Sequence, residues 1–131
     1  MTNKTLKKNF YSFKENGSLL PSLHTFDLPS LIEKMRHSPT WVKGELNAMI
    51  MLKTPEKQII LATLNEGTEI RSFQSNESVE FMIIDGKIEF RYNKESVVYK
   101  KGQLFILHEN IEYSLFTLEE SVVLITINCK A

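Results

Sequence analysis

The side chains best suited to acid–base or metal chemistry are scarce in this chain. It contains three histidines, His24, His37 and His108, and a single cysteine, Cys129. It has no glycine-rich phosphate loop, no Cys-x-x-Cys pair and no Gly-x-Ser-x-Gly elbow. Since transition metals bind through imidazole, thiolate or carboxylate groups, the histidine count alone argues against a three-histidine metal centre. The sequence motifs therefore identify no catalytic residue.

The composition is that of an ordinary globular domain. The chain has 131 residues, of which 42% are apolar and 24% charged, and its formal net charge is zero. Such a chain suits one domain, and its charge balance gives no sign of nucleic-acid or anionic-membrane binding. No apolar stretch approaches the roughly 20 residues of a membrane span. From the charge balance and the short apolar runs, we expect no binding to nucleic acid or membrane. Because a lone cysteine fits a reducing compartment, we expect a cytoplasmic protein.

Residues 1–43 are expected to form an arm and one helix that pack on the remainder of the chain, as part of one domain overall. The helix is predicted over residues 27–38, with Asp27 capping the first amides and Pro39 ending it. Four apolar residues fall at the spacing of one buried helical face: Leu28, Leu31, Ile32 and Met35.

From Gly44 onward, short apolar runs separated by turn residues predict about nine strands, and hence a sandwich or barrel. Asp85-Gly86 stands between two apolar runs, which is the strongest short signal for a β-hairpin. The clearest predicted strands are 46–53, 58–65, 79–84, 87–92, 96–99, 103–107, 113–117 and 122–128.

The spacing of three glycines, Gly67, Gly86 and Gly102, resembles the two motifs of the cupin superfamily. These motifs run G-x5-H-x-H-x3,4-E-x6-G, here from Gly67 to Gly86, and G-x5-P-x-G-x2-H-x3-N, here from Gly102 onward. The resemblance covers roughly residues 44–128. It implies an all-β fold, a jelly-roll β-barrel over residues 44–131 preceded by the N-terminal arm and one short helix.

The chain departs from the cupin motifs where the family places its metal ligands. The two histidines of the first motif correspond to Phe73 and Ser75, its glutamate to Val79, and the histidine of the second motif to Tyr113. Glu80, one residue later than Val79, is expected on the opposite face of its strand. We therefore expect no metal and no other cofactor.

Strand alternation places a mainly apolar set of side chains toward the barrel interior, with Arg71 at its mouth. These pocket candidates are Arg71, Phe73, Ser75, Val79, Phe81, Ile83, Tyr113 and Leu115. Such a set either fills the barrel as packed core or lines a small-ligand site, which is typically apolar with a few polar groups. The hypothesis that follows is a metal-free, non-enzymatic cupin that binds or senses a small molecule.

Two other functions remain open. Some cupins are metal-independent sugar epimerases or isomerases, and Tyr113 is a possible acid there, with His108 the only candidate base in the motifs. A regulatory role is also open, and it would act through a protein partner because the chain has no helix-turn-helix segment. The outer faces of residues 46–52, 59–64 and 122–127 are apolar enough to need covering, which favours a homodimer.

Overall fold

The computed structural model describes residues 10–12, 23–37, 46–71, 78–108 and 111–129. Eight strands and one helix lie in these ranges. In chain order they are β1 (Phe10–Ser12), α1 (Leu28–Arg36), β2 (Leu46–Lys53), β3 (Lys57–Leu64), β4 (Glu69–Arg71), β5 (Ser78–Tyr92), β6 (Glu95–Lys100), β7 (Leu104–Leu107) and β8 (Ser114–Asn128). The expectation of an all-β fold with one short helix is confirmed.

Two long strands, β5 and β8, form the centre of the fold and pair with each other along almost their whole length. The first half of β5 pairs with the second half of β8, and this half of the sheet continues through β3, β2 and β1 on one side and β7 on the other. The second half of β5 pairs with the first half of β8, flanked by β6 and β4. All these pairs are antiparallel except that of β1 with β2.

The prediction of a hairpin at Asp85-Gly86 is wrong, because β5 continues through these residues as one strand without reversing direction. The register between β5 and β8 shifts on both sides of Asp85, so that Gly86 lies in a bulge with a positive φ of 99°. A Cβ atom at Gly86 would collide with Ser121 and with the carbonyl oxygen of Glu120. Gly86 thus permits a bend within a continuous strand. No hairpin forms here, because the residues before and after Gly86 pair with β8 and not with each other.

The two-residue turn with positive φ at both positions is found instead at Asn93-Lys94. Their φ angles are 51° and 67°, and they join β5 to β6. Tyr92 and Glu95, on either side, are paired across the two strands. This backbone twist matches that of the flanking strands, which explains why so tight a connection forms here.

The two halves of the sheet face each other across one hydrophobic core. Phe81 and Ile125 belong to the first half and Phe90 and Leu115 to the second, and all four are buried in one cluster. The rings of Phe90 and Phe105 lie 5.4 Å apart and connect the second half of β5 to β7. The result is a barrel whose interior is filled with aliphatic and aromatic side chains.

The helix α1 covers part of the outer face of the first half. Asp27 caps it through the amide of Ser30, as predicted, and His37 forms its C-cap. Met35 is fully buried against a second apolar cluster that contains Met49, Leu61 and Val122. The chain's own helix therefore covers some of the apolar surface for which the sequence predicted a second chain. With nine residues in α1, no helix in the described ranges is long and apolar enough to cross a membrane.

Candidate functional site

Five of the eight pocket candidates lie inside the barrel. Val79, Phe81 and Ile83 alternate along β5, Tyr113 directly precedes β8, and Leu115 is its second residue. All five are buried in the main core cluster. Phe73 and Ser75 belong to residues 72–77, which lie outside the described part of the chain.

Aromatic rings occupy the end of the barrel around Tyr113. Its ring lies 5.6 Å from that of Phe90 and 6.1 Å from that of Phe81. Phe105 stacks on Phe81 at 5.0 Å and on Tyr99 at 4.2 Å. Rings at these separations are in direct contact. The part of the interior that these residues occupy is therefore packed core.

The buried phenol of Tyr113 is a hydrogen-bonding group and not an anion at neutral pH. Its side chain is 7% exposed, and this burial raises the pKa of Tyr113 well above its ordinary value. Desolvation disfavours the phenolate, because the charged form loses its hydration on burial.

Val79 and Tyr113, the two described residues that the resemblance places at metal-ligand positions, do not suit a metal ion. Val79 has no donor atom, and a phenol held neutral by burial is a poor ligand for a divalent cation. Within the described ranges, no three side chains of His, Cys, Asp or Glu come together as a possible metal site. Glu80, which would be the nearest carboxylate in sequence to Val79, points to the other face and accepts a hydrogen bond from Asn128.

An open cleft of about 1000 Å³ lies beside this end of the barrel and reaches Tyr113. It is bounded by the end of β4, the end of β5 with the Asn93-Lys94 turn, and the starts of β6 and β8. Its acidic side chains are Glu69, Glu89, Glu95 and Glu112. Its basic side chains are Arg71, Arg91 and Lys94.

Arg71 lines this cleft but does not share the inward face with the other candidates. Its neighbour Ile70 takes the inward position on β4, so that Arg71 projects from the outer face with 83% of its side chain exposed. Arg71 and Tyr113 thus reach the same cleft from opposite faces of the sheet. The prediction that Arg71 belongs to the inward-facing set of side chains is therefore wrong.

The outer face of the second half of the sheet carries two ordered rows of side chains. Ser114 is the cross-strand partner of both Arg71 and Arg91, because β4 and β5 flank β8 on its two sides. Phe116 is in the same way the partner of both Glu69 and Glu89. A row of two arginines around a serine therefore runs beside a row of two glutamates around a phenylalanine.

Arg91 is held in place by its neighbours on this face. Its Nη2 atom donates to Glu89 Oε1 at 3.0 Å, and its guanidinium carbon lies 5.6 Å from the centre of the Phe116 ring. The hydrogen bond and charge of Arg91, together with a hydrogen bond from Ser96, lower the pKa of Glu89, although desolvation opposes them. Glu89 is therefore a carboxylate at neutral pH and a weak proton acceptor.

Sequence reasoning did not find Arg91, Glu89 or Ser114 as part of a site. The available signal was the alternation of Glu89 and Arg91 on β5, which puts both on the face opposite the buried Phe90. That alternation does not reveal that β4 brings a second Glu–Arg pair to the other side of β8.

The comparisons with known proteins show the fold. No family model and no curated protein matches the chain. Among solved structures, it is similar to a cupin superfamily protein from Desulfitobacterium hafniense, with 12% identity and a TM-score of 0.69 over 86% of this chain and 97% of that one. The cupin domain of Cnp3 from Schizosaccharomyces pombe has 20% identity and a TM-score of 0.65, over 81% of this chain and 74% of that one.

A conserved protein of unknown function from Streptococcus pyogenes is also similar. Its identity is 18% and its TM-score 0.63, over 69% of this chain and 79% of that one. At such identities a shared architecture is established and a shared activity is not. Together with the paired strands and the buried core, these likenesses show that this chain has the cupin β-barrel fold.

Proposed function

We propose that this protein is a non-enzymatic cupin that binds a small molecule without a metal, in the cleft beside Tyr113. The observation that carries the proposal is the meeting of Tyr113 and Arg71 in one cleft of about 1000 Å³. A buried aromatic group beside exposed polar and charged groups is the usual composition of a small-ligand site. The lone Cys129 fits action in the cytoplasm.

The packed rings favour the cleft over the deep interior as the ligand's position. Phe81 contacts both Phe105 and Tyr113, and Phe90 also contacts both of them. All four rings are buried. A ligand placed among them would have to displace these rings and forfeit their packing, which costs several kcal/mol for each aromatic side chain (about 3–5 kcal/mol). The cleft asks for no such displacement.

Binding is favoured over epimerase-like catalysis by the chemistry of the described cleft residues. Among them there is no histidine, and His108 is exposed beyond the end of β7. The carboxylate of Glu89 lines the cleft and accepts a hydrogen bond from Arg91. This hydrogen bond lowers the pKa of Glu89, which makes its carboxylate a weak base. Tyr113 lines the cleft, but its hydroxyl is buried and is not placed to protonate a ligand there.

A fragment screen observed by two-dimensional NMR on the ¹⁵N-labelled chain tests the proposal. We expect ligands that shift the amide signals of Tyr113 and Arg71 and whose affinity falls in Arg71→Gln, because Arg71 lines the cleft with an exposed side chain. Lys57→Gln is the matched control, because it removes the same charge from the exposed start of β3, outside the cleft lining. Fragments that leave the cleft signals unchanged, or an equal loss of affinity in both variants, would overturn the assignment.

We also propose that two copies of the chain associate through the outer face of the first half of the sheet. Met82 and Leu104 are paired across β5 and β7, and Ile106 follows on the same face. These three apolar side chains are 40%, 47% and 50% exposed, beyond the area that α1 covers. Exposed apolar groups that cluster at a sheet edge are typical of protein contacts.

A further inference from the structure

We infer that the free edge of β6 binds an extended segment of a partner polypeptide, which adds to the sheet as an antiparallel strand. This inference goes beyond the proposed function and does not depend on a ligand in the cleft. It is carried by the exposure of Val97 and Val98 on a strand that, within the described ranges, pairs on one side only, with β5.

The backbone of β6 directs hydrogen-bonding groups along this edge. β6 follows a two-residue turn, and such a turn closes on a hydrogen-bonded pair, here Tyr92 and Glu95. Hydrogen-bonded and non-hydrogen-bonded pairs alternate in an antiparallel ladder, so the N–H and C=O groups of Ser96 and Val98 point away from β5. These groups are a template for one further strand.

The next outward groups, at Lys100, are already bonded within the chain. The Lys100 amide donates to Gln103 Oε1 at 2.8 Å, and the Lys100 carbonyl oxygen accepts from the Gln103 amide at 3.0 Å. Both bonds agree with an outward direction of the backbone at Lys100 and hence at Val98, two residues before it. They also limit the open edge to the four residues from Glu95 to Val98.

Both faces of this edge offer an apolar side chain to an added strand. Val97 and Val98 are 47% and 48% exposed, and consecutive residues of a strand project to opposite faces. β-branched side chains pack well against cross-strand neighbours. Natural edge strands are commonly guarded against such pairing by lysine, proline or a bulge, and none of these lies between Glu95 and Val98.

A second copy of β6 is a poor occupant of this edge. In a two-fold antiparallel pair, outward residues must face outward residues. If Val98 faces Ser96 of the second copy, Lys94 approaches Lys100 of that copy, and opposed like charges are destabilising. If Val98 faces itself, Ser96 faces Lys100, whose backbone groups are bonded to Gln103. If Ser96 faces itself, Val98 faces Lys94, which lies in the turn. A segment of another polypeptide has none of these conflicts.

The charges at the two ends of the edge specify the sequence pattern of the partner and its direction. Glu95 begins β6, Lys100 ends it, Lys101 follows, and all three are exposed. An antiparallel segment with a basic residue opposite Glu95 and an acidic residue close to Lys100 and Lys101 is complementary at both ends. From its N-terminus the partner therefore reads acidic, β-branched, β-branched, polar, basic.

The peptide acetyl-Glu-Val-Ile-Thr-Lys-amide has this pattern and tests the inference by titration into the ¹⁵N-labelled chain. Its valine would face Val98 and its threonine Ser96. We expect saturable binding in which the amide protons of Ser96 and Val98 shift downfield and exchange more slowly with solvent, because both gain a hydrogen bond. The amide signal of Arg71, on β4 beyond β8, should stay unchanged, which separates this edge from the cleft.

Two N-methylated peptides assign the binding to the backbone of the edge. Methylation at the valine nitrogen removes the donor that faces Val98 and holds the strands apart, so the Kd should rise about tenfold or more. Methylation at the isoleucine nitrogen is the matched control, because this N–H faces away from β6 and the Kd should be nearly unchanged. An equal loss of affinity in the two peptides would overturn the inference.

A peptide with exchanged end charges, acetyl-Lys-Val-Ile-Thr-Glu-amide, tests the direction of the added strand. It should bind more weakly than the first peptide at low salt, and the difference should shrink as salt is added. Binding of this second peptide as tight as that of the first would contradict the antiparallel assignment.

Val98→Ser should raise the Kd of the first peptide about threefold, since one cross-strand apolar contact is lost. Leu118→Ser is the matched control, because Leu118 is an exposed apolar residue of β8, away from the edge. The absence of saturable binding to the wild type, or an equal rise of the Kd in the two variants, would show that β6 is not the docking edge.

Discussion

Arg36 on helix α1 is joined to Glu120 on β8 by an ion pair of 2.9 Å between Nε and Oε2. The Nη2 atom of the same guanidinium lies 3.4 Å from Asp85 Oδ2 on β5. Asp85 and Glu120 stand at the bulge where both long strands bend. One helical arginine therefore bridges the two strands at the point where the barrel turns from its first half to its second.

Glu120→Gln is expected to lower the free energy of unfolding by about 0.5 kcal/mol, because both partners are partly exposed and screened by solvent. Urea denaturation at low and at high salt measures this loss, which should shrink as salt is added. Glu119→Gln, a neighbouring exposed carboxylate, is the control and should change stability less. A larger loss in Glu119→Gln would contradict the role given to the Arg36 bridge.

Gly86→Ala is expected to destabilise the protein by about 3 kcal/mol or more, because it adds a steric collision to backbone strain. The new Cβ would meet Ser121 and the backbone of Glu120 in a conformation with φ of 99°. Gly67→Ala separates the two costs, since Gly67 has a φ of 83° but open space around it. Its loss should be about 1–2 kcal/mol, the backbone cost alone. Equal losses in thermal or urea unfolding would show that the collision at the bulge is relieved.

The pair of Glu89 and Arg91 is expected to stabilise the fold at neutral pH and to lose this effect in acid. The pKa of Glu89 is lowered in the folded state, chiefly by its hydrogen bond to Arg91. A carboxylate with a lowered folded pKa contributes stability above its unfolded pKa and loses it as the pH falls through the folded value. The difference in urea midpoint between the wild type and Glu89→Gln should therefore shrink below about pH 4.5.

Arg91→Gln provides the control for this pH dependence. In that background the substitution Glu89→Gln should have nearly the same small effect at neutral and acidic pH, because the charge that lowers the pKa is gone. A pH dependence that persists in the Arg91→Gln background would assign it to another group.

Light scattering at micromolar concentration should give twice the 15.2 kDa mass of the chain. Ile106→Glu should restore the mass of one chain, because it places a charge in the exposed cluster with Met82 and Leu104. Val97→Glu is the matched control, since Val97 is similarly exposed but lies on β6, in the other half of the sheet. A single-chain mass for the wild type would contradict the proposed association.

Much of the local structure was predictable because it follows from short-range rules. The alternation of Val79, Phe81 and Ile83 indicated the buried face of β5, and all three are buried. The Asp27 cap and the spacing up to Met35 likewise predicted α1 to within two residues at its end. Side-chain direction in a strand and the first turn of a helix depend on neighbouring residues, so the sequence contains this information directly.

The sequence by itself indicated most of the strand residues and the buried face of the first half of β5, and it has no histidine where the cupin motifs have theirs. The tertiary structure alone decided the partners. Asp85-Gly86 became a bulge because β8 pairs with both sides of it, and Arg71 and Arg91 lie in one cross-strand row because β4 and β5 flank β8 at Ser114. These are contacts between segments far apart in the chain, chosen by closure of the whole barrel around one core, and no local pattern encodes that choice.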